Sequence, residues 1–234
     1  MKALIWDFDG TLAYREDLWA GALSQAAFRE VGSKAPSVAA LSPHLKQGFP
    51  WQNPDEIYPI RSAGEWWRSL EPIFERAYSM VGATNPESGA WARGVRESFL
   101  DLNRWHVFPD VFASLEELRR KGWRHWILSN HVPELPDLVA GLGLLDFFEE
   151  VVTSAMTGYE KPHAEAFRQI LRGMPALQTV WMIGDNPVAD IAGAEAVGLS
   201  AILVRQRRTD VRYCCETLEK LCGVLGEFDE YLVK

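Results

Sequence analysis

The sequence predicts an α/β protein: a parallel sheet covered by helices on both faces, with a helical subdomain inserted after the first strand. Three observations predict it. Short apolar runs alternate with amphipathic helical stretches through the second half of the chain. The runs are mostly apolar, as the buried strands of a covered parallel sheet are. The first run ends at Trp6, and the next does not begin until Trp123, so something large lies between them.

Residues 3–6 form the first strand and meet Asp7 at its end. From about Tyr14 to Trp105 the periodicity is helical: Leu18, Ala22 and Ala26; then Trp66, Leu70, Ile73, Ala77 and Val81; then Val95, Phe99 and Leu102 after an Asn85-Pro86-Glu87 start. No strand pattern interrupts them. Pro72 is expected to kink or split the second helix, and the Pro-rich stretch 36–59 to form an ordered irregular loop. Residues 110–121 read as a helix capped by Asp110, with Val111, Leu115 and Leu118 on one face and Gly122 as its stop. Strands follow at 123–128, 149–153, 180–183 and 200–204, and Pro162 is placed to open the helix that contains Glu165. The chain therefore divides into a core of residues 1–13 and 106–234 and a helical insert of residues 14–105.

The 234 residues carry 24 Lys and Arg against 32 Asp and Glu, a formal charge of −8. That balance argues against a sequence-independent grip on nucleic-acid phosphates, so any phosphate chemistry belongs to a local site. The cysteines Cys214, Cys215 and Cys222 lack the spacing of a disulfide framework or a zinc site and read as reduced thiols of a cytoplasmic protein. No apolar run has the length of a membrane span, and the one at the N-terminus is too short for a signal peptide.

Four segments carry candidate chemistry. Asp7-Phe8-Asp9-Gly10-Thr11-Leu12 follows the first strand directly, and in an open α/β sheet ligands bind at the carboxyl ends of strands. Ser129 and Asn130 end the next core strand. Lys161 sits before Pro162, and Gly184-Asp185 ends a further strand with Asp190 five residues beyond Asp185. Taken singly, Ser-Asn is a common turn or cap, Lys161 a solvated charge, and Asp190 a first-turn helix residue. Jointly, these strand ends converge on one rim of the sheet.

This order of motifs resembles the haloacid dehalogenase superfamily, over residues 1–13 and about 106–205. The resemblance implies a Rossmann-like three-layer α/β/α core, and the helical insert looks like that superfamily's first cap class (C1), as in its subfamily I. It implies a two-step phosphatase reaction: Asp7 attacks phosphorus and becomes an aspartyl-phosphate, while Asp9 protonates the leaving alcohol and then serves as base for the hydrolytic water. A carboxylate approaching a phosphate dianion faces about 4 kcal/mol of repulsion per charge pair at 4 Å and an effective dielectric near 20, so a cation must lie between them. Asp7, Asp185 and Asp9, the last through its main-chain carbonyl, suit Mg²⁺. Lys161 supplies a second positive charge, Thr11, Ser129 and Asn130 donate to phosphoryl oxygens, and Asp190 supports the motif by holding Lys161 or a metal-bound water.

The expected partner is a small-molecule phosphate ester; nucleic acid and membrane are not expected, and the oligomeric state is not legible. Rival readings are a phosphomutase, a 2-haloacid dehalogenase on the same fold, or a non-catalytic binding module. The dehalogenase lacks a carboxylate at the position of Asp9, and a non-catalytic module predicts a damaged motif. His131 and His163 read as helix-entry or loop residues, and Arg205, Arg207 and Arg208 as a solvated turn after the last strand. Six of the ten tryptophans, Trp19, Trp51, Trp66, Trp67, Trp91 and Trp105, lie in the insert or at its exit. Packing accounts for most of them, and Trp51 is the first candidate to face the cleft.

Overall fold

The computed structural model describes residues 2–58, 62–175 and 179–229, the side chains of 227–229 aside. In chain order come β1 (Lys2–Trp6), β2 (Ala13–Arg15), α1 (Leu18–Val31), α2 (Val38–Leu41), α3 (Ala63–Met80), α4 (Asn85–Phe99) and β3 (Trp105–Val107). Then follow α5 (Val111–Arg120), β4 (Trp123–Ser129), α6 (Leu135–Gly141), β5 (Phe148–Thr153), α7 (Ser154–Thr157), α8 (Ala164–Gly173) and β6 (Thr179–Gly184). A wide helical turn (Pro187–Ala192), α9 (Gly193–Ala196), β7 (Ser200–Val204), β8 (Cys214–Cys215) and α10 (Leu221–Asp229) complete the chain.

The six-stranded sheet has the order β5-β4-β1-β6-β7-β8, and every pairing in it is parallel. β1 lies inside the sheet because both of its faces are apolar and fully buried. Leu4 and Trp6 join Ile127 and Ile183 against Leu115 and Leu118 of α5 and Leu138 and Val139 of α6. Ala3 and Ile5 join Trp126 and Met182 on the other face against Phe167 and Ile170 of α8 and Ala194 of α9. Side chains alternate across a strand, so a continuously apolar strand requires two such layers, and the result is the three-layer α/β/α core. Between β1 and its partners β4 and β6 the chain order reverses, which opens a crevice at the carboxyl ends. Among the described residues, no helix is long and apolar enough to cross a membrane.

Between β2 and β3 the chain is helical, but its two ends are strands. Ala13, Tyr14 and Arg15 pair antiparallel with Val107, His106 and Trp105, closing the insert at its neck. Arg15 is buried there and donates to the carbonyls of Leu18 (2.8 Å) and Ser98 (3.1 Å), tying the neck to α1 and α4.

Several local expectations need correction. α3 runs unbroken through Pro72, which lies on the exposed face with Arg68, so the carbonyl that loses its helical donor meets water. The Pro-rich stretch is built of helical turns: α2, then single turns at Ser42–Leu45 and Pro50–Gln52, whose prolines sit in the first two positions, where no donor is missed. Pro59 lies outside the described residues. Asp110 makes no side-chain cap on α5; its carboxylate accepts from Arg205 Nη1 and from Leu218 N, both at 2.8 Å. Arg205 accordingly is not solvated, and its guanidinium packs 4.0 Å from the Phe108 ring centre. Helix α8 opens at Ala164 behind His163, whose ring accepts from Glu165 N, so Pro162 precedes the cap.

A buried imidazole provides a test of the core. Trp6 Nε1 donates to His125 Nδ1 at 3.0 Å, which requires that nitrogen to be unprotonated, and burial pushes the ring down to about 4. Between about pH 6.5 and pH 4 the unfolded chain therefore binds a proton that the native state refuses, and stability falls with pH by up to about 3 kcal/mol. In urea denaturation at pH 7 and pH 4.5, His125→Gln, which can still accept from Trp6, is expected to lose that share of the acid sensitivity. An unchanged pH dependence would contradict it.

Candidate active site

The site is assembled at the carboxyl ends of β1, β4 and β6, with the segment before α8 beside them. Asp7 follows β1 and its N–H donates to Ile183 O of β6 (2.9 Å), which fixes the carboxylate at the sheet edge. The chain then turns tightly: Leu12 N and Ala13 N both donate to Phe8 O, at 2.9 and 3.0 Å, and Gly10 N donates to Ala13 O at 2.8 Å. Gly10 sits at φ +85°, and a Cβ there would lie 2.6 Å from Asp185 Oδ2. A Cβ on Gly184 would lie 2.2 Å from Asp190 Oδ2. Both glycines let backbone and carboxylate approach as the site requires.

Lys161 is the centre of the arrangement. Its ammonium donates to Asp7 Oδ1 at 2.7 Å and to Asp190 Oδ1 at 2.5 Å, and the residue is only 2% exposed. Burial alone would lower the ammonium's pKa, but Asp190 and Asp7 outweigh it and hold the group charged, above its ordinary value. Asn130 clamps the same residue from β4: its amide nitrogen donates to Lys161 O at 2.8 Å and its oxygen accepts from Lys161 N at 2.7 Å. Asp190 Oδ2 accepts from Asn186 N at 2.9 Å, so both oxygens of Asp190 are engaged.

Carboxylate oxygens of Asp7, Asp185 and Asp190 lie within 4.8 Å of one another, a spacing a metal ion can bridge. With Asp190 given over to Lys161, the carboxylates open to a cation are Asp7 and Asp185. Burial, then Asp7, push the Asp185 carboxyl up to about 6, and burial, then Asp7 and Asp185, push Asp9 up to about 8. Three crowded carboxyls whose repulsion raises two of them fit a divalent cation with oxygen ligands. Thr11 is fully buried, and its hydroxyl donates to Asp185 Oδ1 at 3.2 Å.

These groups open into a cleft of about 640 Å³ lined by Asp7, Asp9, Ser129, Asn130, Lys161, Asp185 and Asp190 at one pole. The opposite wall comes from the insert, including Trp19, Phe49, Trp51 and Phe99. The cleft thus brings together every residue singled out in the sequence except Thr11, which lies behind Asp185.

Gln206 and Glu160 escaped the sequence, and Arg205 and His131 have roles beyond those expected. Arg205 donates through Nε (3.0 Å) and Nη2 (2.8 Å) to Thr11 O, tethering the Asp7 loop to the end of β7, and Gln206 donates to the Asp185 carbonyl. Glu160, 2% exposed, is pushed up to about 7 by burial. His131 lies in a loop, as one of its two expected placements has it, and its ring packs edge-on against Phe8, 5.4 Å between centres. Only Gln206 and Arg205 had a local signal, their position after an apolar run, and that signal reads equally as a solvated turn.

Removing one partner from a buried charge cluster leaves the others desolvated and unpaired, which costs about 3–5 kcal/mol. Lys161→Met is therefore expected to lose about 3 kcal/mol in urea denaturation without divalent metal, and adding Asp190→Asn to recover part of the loss. A Lys161→Met protein as stable as the parent would contradict the pairing.

Comparison with known proteins places this geometry in a family. The haloacid dehalogenase-like hydrolase description matches residues 1–198. The phosphoserine phosphatase of Thermus thermophilus is 30% identical over 226 residues, covering 87% of this chain and 88% of the relative. The glyceraldehyde 3-phosphate phosphatase of Methanothermobacter thermautotrophicus is 37% identical over 105 residues, covering 44% of this chain and 46% of the relative. Among solved structures, the magnesium-bound HAD-hydrolase YfnB of Bacillus subtilis superposes with a TM-score of 0.69 at 18% identity, over 96% of this chain and 98% of the other. With the fold, the ordered motifs and the family match in agreement, the chain belongs to the haloacid dehalogenase-like hydrolases.

Proposed function

We propose that this hydrolase is a Mg²⁺-dependent phosphatase that cleaves a small phosphate monoester through an aspartyl-phosphate on Asp7. The observation that carries the reading is the Lys161 ammonium, 2.7 Å from Asp7 Oδ1, at the floor of a cleft shared with Asp9. The phosphatase names of relatives that act on phosphoserine and glyceraldehyde 3-phosphate support the same class.

Mg²⁺, held by Asp7, Asp185 and the Asp9 main-chain carbonyl, would screen the repulsion between the Asp7 carboxylate and the phosphoryl oxygens. Lys161 adds a fixed positive charge on the same side, kept in place by Asp190 and by the Asn130 clamp on its backbone. An Asp7 oxygen forms the bond to phosphorus as the ester P–O bond breaks, and Asp9 gives its proton to the departing alcohol oxygen. Burial of Asp9 favours its protonated form, the form that carries the proton to the alcohol. Asp9, now ionised, takes a proton from water as the water oxygen attacks phosphorus, which releases phosphate and regenerates Asp7. Ser129, with the remaining donor capacity of Asn130, faces the phosphoryl oxygens from the end of β4. Thr11 serves by orienting Asp185.

The insert 14–105 acts in this reading as a C1-type cap over the core 1–13 and 106–234, hinged at the β2–β3 neck, and excludes water from the reacting group. Asp9 favours a phosphatase over a dehalogenase, because carbon–halogen cleavage has no use for an acid at that position.

A panel of phosphate monoesters that includes para-nitrophenyl phosphate, assayed with Mg²⁺ and after exhaustive chelation, tests the proposal. Hydrolysis that depends on Mg²⁺ is expected. Asp7→Asn is expected to lower kcat at least a thousandfold with the fold retained, and Asp9→Asn about a hundredfold to ten-thousandfold. Activity that survives chelation, or a near-normal Asp7→Asn enzyme, would refute it; halide release from 2-haloacids without metal would favour the dehalogenase.

A further inference from the structure

The cleft wall opposite the carboxylates has a chemistry that phosphoryl transfer does not use. It begins at His131, next to Ser129 and Asn130, and runs outward as a series of aromatic contacts. The His131 ring lies 5.8 Å from Phe99; Phe99 stacks on Trp19 at 4.2 Å; Trp19 stacks on Trp51 at 5.9 Å; and Trp51 stacks on Phe49 at 4.6 Å. All five residues line the same cleft as Asp7 and Lys161.

Packing explains part of this series. Trp19, Phe49 and Phe99 are buried and hold the insert together. Trp51, on a short turn, packs one side on Trp19 and Phe49 yet stays only half-buried, and its remaining surface lines the cleft. His131, 5% exposed, closes the inner end of the wall: its ring packs among Phe8, Phe99 and Trp105, and both ring nitrogens are covered. The rest of this wall, among the described residues, is apolar or amide: Leu18, Leu45, Gln52, Pro54 and Val132.

We propose that the cleft takes the phosphate monoester of an alcohol that carries an aromatic ring. The phosphoryl group lies at the Asp7–Lys161 pole, and the ring stacks against the Trp51 wall. An amino-acid ester or a bisphosphate would bring to this wall a second charge that its apolar and amide side chains do not pair. The inference rests on the phosphatase reading and adds the class of leaving group to it.

Calorimetric titration of the full chain in Mg²⁺ with phenylphosphonate and with methylphosphonate tests it, because neither P–C bond is hydrolysed and binding is read apart from turnover. Phenylphosphonate is expected to bind about tenfold more tightly than methylphosphonate. Trp51→Ala should bring that ratio close to one, and Trp51→Phe, which keeps a ring and the fold, should preserve most of it. Equal affinities in the parent protein, or a ratio that Trp51→Ala leaves unchanged, would overturn the aromatic site while Mg²⁺-dependent ester hydrolysis still upheld the phosphatase. If neither phosphonate bound and no ester were hydrolysed, the phosphatase reading itself would fall, and this inference with it.

Discussion

An ammonium group 2% exposed is tolerable only where opposite charge surrounds it, and Lys161 meets that condition with Asp7 at 2.7 Å and Asp190 at 2.5 Å. Satisfying it dictates much else. The three residues must come from three places in the chain, and a parallel sheet with β1 flanked by β4 and β6 brings the corresponding strand ends to one rim. The carboxylates press so closely on the backbone that Gly10 and Gly184 are required opposite Asp185 and Asp190. The Asn130 amide fixes the Lys161 backbone from both sides, so the charge cannot retreat to solvent. A site with three nearby carboxyls and one buried cation retains an excess of negative charge, and that excess fits a divalent ion.

Most core strands were legible because burial leaves an apolar run, though the half-exposed β5 shows it only weakly and the two-residue β8 not at all; the expected limits of β1, β4, β5 and β6 fall within a residue or so of those observed, and those of β7 coincide with them. The motif carboxylates were legible for a related reason, since polar residues at the abrupt end of such a run have few structural uses. What stayed hidden depends on partners far away in sequence. The burial of Lys161 is one case: the order of motifs places it in the site with Asp190 holding it, but alone it reads as a surface charge, and only Asp7, 154 positions away, and Asp190, 29 away, make it a buried one. Arg205 reads as part of a solvated run, yet its partner carbonyl at Thr11 is 194 positions distant. The neck strands β2 and β3 are three residues each, too short for any period to show. Pro72 was misjudged because its effect depends on which face of α3 it occupies.

The core and the insert divide the chemistry. The core supplies charge and hydrogen-bonding groups from rigid strand ends, which suits a phosphoryl group whose shape is the same in every monoester. The insert supplies bulk: its tryptophans build a small helical core, and the edge of that core becomes the far wall of the cleft. Glu134 joins the two parts, accepting from Trp67 Nε1 of α3 at 3.0 Å and pairing with Arg96 of α4 at 2.6 Å.

The stereochemical course at phosphorus is the measurement that reaches the chemistry most directly. Hydrolysis of an isotopically chiral phosphate monoester in labelled water, followed by configurational analysis of the released phosphate, counts the displacements. Two in-line displacements, one by Asp7 and one by water, give overall retention. Inversion would mean that water attacks the ester in a single step, and Asp7 could not then be the nucleophile.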